Sequence, residues 1–159
     1  MFIISIENAR EHLRKWNVED RIQEFDTSSA TVELAALAVG CEPARIAKSL
    51  TFKVEDHAVM VVAAGDVKVD NAKYKAQFHT KAAMLKPDEV VRLVGHEVGG
   101  VCPFGINPGT EVYLDESLRR FITVYPAAGS SNSAIQLNLE ELERISGSLG
   151  WIDVCKGWQ

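Results

Sequence analysis

Long apolar runs are missing from this chain of 159 residues. None approaches the roughly 20 residues of a membrane-spanning helix. The apolar start at residues 1–6 is followed at once by acidic Glu7, so it lacks the basic region and the cleavage site of a secretory signal. Hydrophobic residues make up 47% of the chain and charged residues 25%, which is typical of globular proteins. We therefore expect one domain, residues 1–159, in the cytoplasm.

Cysteines are few, and metal-binding motifs are absent. Cys41, Cys102 and Cys155 form no CxxC pair, and their odd number argues against a disulfide framework. The four histidines form neither an HExxH motif nor an i,i+4 pair. The sequence therefore predicts reduced thiols and no metal site.

Excess positive charge is absent too, since the net charge is −5. This argues against a protein that follows a long stretch of nucleic-acid backbone, because such binding needs many lysine and arginine contacts to phosphates. The lysines are unevenly distributed, however, and one stretch contains Lys68, Lys73, Lys75, Lys81 and Lys86. This stretch is either a solvated helix face or a local positive surface for a short contact.

Periodicity, capping residues and glycine stops predict the secondary structure. Helices are expected at residues 6–16, 31–39, 43–47, 70–78, 87–94 and 138–145. Strands are expected at residues 50–54, 58–64, 112–114, 121–125 and 134–137. The 43–47 helix would place Lys48 at a helix-to-strand junction. The irregular order of these helices and strands favours an α+β fold with a mixed, largely antiparallel sheet wrapped by helices, with α/β as the alternative.

A glycine-rich segment, GHEVGGVCPFG, occupies residues 95–105. It matches neither the P-loop pattern nor the GxGxxG fingerprint. A structural turn is one interpretation, and a loop whose backbone N–H groups bind an acyl oxyanion is another. Within it, Cys102 is either a packed thiol or a nucleophile that would need a base such as His96. By its residue type alone, Lys48 is an ordinary surface lysine.

Four segments taken together resemble a known family. They are ARIAKSLTFK at residues 44–53, GHEVGGVCPFG at 95–105, VYLDES at 112–117 and YPAAG at 125–129. In this order they are similar to the signature segments of the YbaK/prolyl-tRNA synthetase-associated editing family, over residues 20–146. The resemblance implies a barrel-like mixed sheet surrounded by helices. It also implies hydrolysis of the ester that joins a wrong amino acid to tRNA, often tRNA(Pro).

The resemblance also implies roles for individual residues. Lys48 matches the essential lysine of the family, and residues 99–103 match its GxxxP loop. Lys48, Gly99 and Gly100 are then the expected catalytic residues, with backbone amides as oxyanion donors. The expected substrate-binding residues are Val101, Cys102, Pro103, Phe104, Gly129 and Ser130. No cofactor, metal or covalent enzyme intermediate is expected.

The same resemblance implies partners and bears on the substrate. The expected partners are the acceptor end of a mischarged tRNA and prolyl-tRNA synthetase, whereas a membrane is not expected, and both a monomer and a homodimer stay open. Ala127 and Ala134 stand where the cysteine-specific branch carries a serine and an acidic residue, which favours alanine or another small residue over cysteine. The alternatives are a non-catalytic tRNA- or synthetase-binding module and a Cys102-dependent acyl hydrolase.

Overall fold

A computed structural model describes residues 5–158 of the chain. Its helices are α1 (Ser5–Arg14), α2 (Val32–Val39), α3 (Asn71–Phe78), α4 (Pro87–Glu89) and α5 (Leu139–Ile145). Its longer strands are β2 (Ile46–Val54), β3 (His57–Ala64), β5 (Glu111–Asp115) and β6 (Thr123–Pro126). Two-residue strands complete the sheets: β1 (Gln23–Glu24), β4 (Lys68–Val69), β7 (Ser133–Ala134), β8 (Leu137–Asn138), β9 (Trp151–Ile152) and β10 (Cys155–Lys156).

The main sheet has six strands in the order β8-β6-β2-β3-β5-β9. Its centre is the antiparallel hairpin of β2 and β3, paired from Ala47↔Ala64 to Val54↔His57. The pairings of β2 with β6, β3 with β5 and β5 with β9 are parallel. The expected α+β fold with a mixed sheet is therefore confirmed, and the sheet curls into a half-barrel.

Burial explains the continuous apolar run of β3. Every residue of β3 from Ala58 onward is at most 2% exposed, because the strand is central and covered on both faces. Helix α1 adds the fully buried Ala9 and Leu13 to this core. Within residues 5–158, no helix is both long and apolar enough to span a membrane.

The helix ends follow the capping chemistry of the sequence. The Thr31 and Asp70 side chains accept the N–H groups of Leu34 and Lys73 at the starts of α2 and α3. Gly40 ends α2 in the left-handed conformation, with φ of 84°. After α4 the chain continues as a π-helical segment, Val90–Val94.

Three local predictions were wrong. The helix after Pro43 is a single turn, Pro43–Arg45, because the parallel pairing with β6 recruits Ile46 and Ala47 into the sheet. Lys48 is consequently the third residue of a strand. The strand predicted at residues 134–137 is split, since β7 pairs with β1 and β8 with β6. Trp16 lies beyond the end of α1 and is 41% exposed.

Candidate functional site

One cavity of about 330 Å³ lies at the edge of β2, a volume at the lower end of the range for small-molecule sites. Its walls come from β2, from the start of α2, from the glycine-rich loop and from the segment after β6. Most of its lining is small and apolar, with Val32, Ala35, Ala47, Val90, Val101, Ala127 and Ala134 among the residues.

The cavity exists because β2 has a gap in its pairing. The ladder with β6 ends at Ala47, and pairing on the same edge resumes where Thr51 O accepts the N–H of Leu85 and Lys53 N–H donates to Ala83 O. Ser49 lies between these two stretches. Because backbone groups alternate in direction along an antiparallel strand, Ser49 directs its N–H and C=O toward the same edge as Thr51 and Lys53. Among the residues from 5 to 158, no backbone group pairs with Ser49 on this edge, so the floor of the cavity is a short piece of unpaired strand edge.

Lys48 also lines the cavity. Its side chain is half-buried, and its ammonium donates to Val67 O and, at 3.4 Å, to Gly65 O. Burial lowers the pKa of Lys48, while the neighbouring Cys155 and Asp66 oppose this shift. An ammonium has three N–H donors, so two backbone carbonyls fix the position of the charge and one donor remains for a ligand.

Two adjacent positions of the loop favour glycine for different structural reasons. Gly99 has φ of 100°, a conformation that favours glycine, and a Cβ there would find Ala30 Cβ only at 3.4 Å. At Gly100 a Cβ would lie 2.7 Å from Ser130 Cα, so this position needs glycine because two backbones approach closely. The Gly100 N–H already donates to Glu97 O at 3.0 Å. It would have to give up this hydrogen bond to act as the expected oxyanion donor.

Other amides of the loop remain available. Within the described part of the chain, the N–H groups of Gly99 and Val101 have no hydrogen-bond acceptor, and both residues line the cavity. Donors of this kind, fixed in place before a ligand arrives, are suited to a developing oxyanion.

A buried cluster of His96, Cys102 and Phe104 supports the loop from behind, and all three side chains are fully buried. His96 Nε2 lies 2.7 Å from Phe104 O and 3.6 Å from Cys102 Sγ. Burial raises the pKa of the Cys102 thiol to about 12 and lowers the pKa of His96. The thiol therefore stays protonated, and neither Cys102 nor Phe104, both expected to bind substrate, is among the residues that line the cavity.

The other residues expected to bind substrate, Pro103, Gly129 and Ser130, are also not among those that line the cavity. Pro103 and Gly129 are buried. Ser130 packs against Gly100, and its hydroxyl bonds to Ser133 Oγ at 2.7 Å. The structure thus brings Lys48, Gly99 and Val101 to the cavity, whereas Gly129 and Ser130 hold the loop in place.

The comparison with known proteins decides the family. The sequence model of the aminoacyl-tRNA editing domain matches residues 26–145. The chain belongs to this family. Its matched segment contains the cavity-lining part of β2, the glycine-rich loop, Ala127 and Ala134.

Three relatives of this editing domain bear on its function. The uncharacterized protein YwhH of Bacillus subtilis is 54% identical over 157 residues, which cover 98% of this chain and 100% of YwhH. Proline–tRNA ligase of the same organism is 33% identical over 86 residues, or 54% of this chain and only 15% of the ligase. A crystal structure of a candidate trans-editing enzyme for prolyl tRNA synthetase has 28% identity and a TM-score of 0.86, over 99% of this chain and 100% of that chain.

Several cavity residues of this editing domain were not expected from the sequence. Ser29 and Thr31 at the start of α2, Met84 before α4, and Tyr125 on β6 all line it. Capping identified Thr31 as a helix start, but nothing local shows that this end of α2 opens onto a cavity. Within residues 5–158, no three His, Cys, Asp or Glu side chains are grouped as metal ligands.

Proposed function

We propose that this editing-domain protein is a deacylase that acts in trans, in the cytoplasm, on a mischarged tRNA. The observation that supports the proposal is the cavity itself: Lys48, with its fixed ammonium, lines it together with Gly99 and Val101, whose N–H groups have no acceptor among the described residues. The relation to proline–tRNA ligases and to the trans-editing structure supports tRNA(Pro) as the carrier and prolyl-tRNA synthetase as a partner.

The chemistry assigned to the cavity is positioning and electrostatic stabilisation. The ester carbonyl oxygen is oriented toward the Gly99 and Val101 amides, which stabilise the negative charge of the tetrahedral intermediate. Lys48 holds the acceptor end through its remaining N–H donor. Because an aminoacyl ester is already activated, correct orientation toward a water or a group of the substrate is enough for hydrolysis. Gly100 is given a packing role instead of an oxyanion contact.

The substrate assigned to the cavity is a small amino acid, with alanine favoured over cysteine. Ala127 and Ala134 face each other as an isolated bridge pair and both line the cavity, so neither offers a hydroxyl or a carboxylate to a thiol. Discrimination by volume alone is modest, since one methylene is worth about 1–3 kcal/mol.

A panel of tRNA(Pro) charged with alanine, cysteine, serine or proline tests the proposal. Rapid release of alanine and sparing of Pro-tRNA(Pro) are expected. The Cys102→Ala variant should keep its rate, because the buried thiol has no thiolate form near neutral pH. If every ester survives a stoichiometric amount of protein, the proposal fails. Salt-sensitive tRNA binding without turnover would instead indicate a binding module.

A further inference from the structure

Two exposed lysines, Lys68 and Lys156, face each other across a short ladder. Strand β4 pairs with β10, and the register places Lys156 directly opposite Lys68. Like charges directly opposite in an antiparallel pair destabilise the ladder. Neither lysine takes part in an ion pair within the described residues. An uncompensated pair of this kind is unexpected on a chain with a net charge of −5.

The other charges around this lysine pair are already engaged. Lys73 donates to Asp153 at 3.0 Å and to Cys155 O at 2.9 Å. Arg120 makes two bonds to Asp66, at 3.0 and 2.6 Å. Asp70, whose carboxylate Lys156 also influences, accepts the N–H of Lys73 as the cap of α3. Among the residues that the structure describes, Lys68 and Lys156 are the cations of this group without an ion-pair partner.

The lysine pair lies at the far end of the Lys48 side chain. Lys48 lines the cavity, and its ammonium donates to the carbonyl of Val67, the residue immediately before Lys68. The Lys68 charge is close enough to contribute to the lowered pKa of Lys48, although burial is the larger cause. A polyanion whose end occupies the cavity can therefore lie along Lys68 and Lys156.

We infer that Lys68 and Lys156 bind backbone phosphates of the RNA strand that carries the aminoacyl ester, just before its 3′ end. A phosphate between the two ammonium groups converts their repulsion into two favourable contacts, and lysine is well suited to this as a compact point charge. This inference rests on the proposed function and adds to it a phosphate-binding site outside the cavity.

The test compares the salt dependence of KM for mischarged tRNA(Pro) in the wild type and in the Lys68→Gln/Lys156→Gln double variant. Each lost contact to single-stranded RNA should reduce the slope of log KM against log salt by about 0.7, so the expected change is about 1.4. Lys15→Gln is the matched control, because Lys15 is exposed and far along the chain from the site. A Lys68→Arg/Lys156→Arg variant should keep the wild-type slope.

A second substrate distinguishes a failure of this inference from a failure of the proposed function. Adenosine esterified with the same amino acid has no phosphate, so its hydrolysis should be the same in the wild type and in the double variant. If tRNA is deacylated and the double variant keeps the wild-type slope, or if Lys15→Gln changes the slope equally, the inference is wrong and the proposed function stands. If the wild type cleaves neither ester, the proposed function fails, and the salt slope for binding of uncharged tRNA then decides the inference.

Discussion

The two long walls of the cavity are built differently. The sheet wall belongs to β2, whose hairpin with β3 is continuous over eight residue pairs, and it presents the ammonium of Lys48. The loop wall has no regular structure between Gly95 and the start of β5, and it presents backbone amides. Its shape depends on close packing of Gly100 against Ser130 and on the buried cluster behind it.

Because the two walls are built differently, mutations in them should have different consequences. On the sheet wall a side chain supplies the charge, and the backbone beneath it is secured by ladders on both sides of the gap. On the loop wall the backbone supplies the donors, so any side chain that moves the backbone removes them. Substitutions on the two walls should therefore differ in how activity and stability change together.

The largest effect is expected on the sheet wall. Lys48→Met should lower kcat/KM for the mischarged tRNA by about 10²–10³, the range seen when one preorganised electrostatic contact is removed. Lys53→Met is the matched control, because Lys53 lies on the same strand and, within the described residues, its ammonium makes a single ion pair, with Glu89 at 3.7 Å. A Lys48→Met protein that retains most of its activity would contradict the role given to the ammonium.

An intermediate effect is expected on the loop wall, where neighbouring glycines can be compared. Gly100→Ala brings a Cβ to 2.7 Å from Ser130 Cα, so the loop must shift, at a cost of about 1–3 kcal/mol of stability and with loss of most activity. Gly99→Ala meets no such contact, and only its φ of 100° is unfavourable. We expect Gly100→Ala to lower both activity and the melting temperature more than Gly99→Ala does, and the reverse order would refute the packing role.

The smallest effect is expected in the pH dependence of protein stability, through His96 in the buried cluster behind the loop. Burial lowers the pKa of His96 in the folded protein, whereas the unfolded chain titrates near 6.5. Below this pH the unfolded state binds more protons, so stability is retained above about 6.5 and decreases as pH falls through the lower folded pKa.

The measurement is the melting temperature at pH 7.5 and 5.5. The wild type should lose a few degrees, since each kcal/mol corresponds to roughly 2–4 °C in a chain of this size, and His96→Gln should lose less. His79→Asn is the control, because His79 is exposed and asparagine tolerates its left-handed conformation, with φ of 63°. Equal pH dependence in His96→Gln and wild type would exclude His96 as the source.

Much of the fold was accessible from local patterns. The caps at Thr31 and Asp70, the stop at Gly40 and the buried strand β3 were predicted because each depends on a few neighbouring residues. The start of β2 was not, because Ile46 and Ala47 join the sheet through pairing with Tyr125 and Pro126, nearly 80 positions away. The same non-local pairing separates β7 from β8.

For the site, the sequence by itself determined the family, through four ordered motifs, and it identified Lys48 and the glycine-rich loop as candidates for the site. Tertiary structure alone decided where these residues lie and what they contact. It fixed the ammonium on the carbonyls of Gly65 and Val67, left the edge of β2 open at Ser49, and buried Cys102 away from the cavity. These features depend on which distant backbones approach each other, and a local pattern of residues carries no information about that approach.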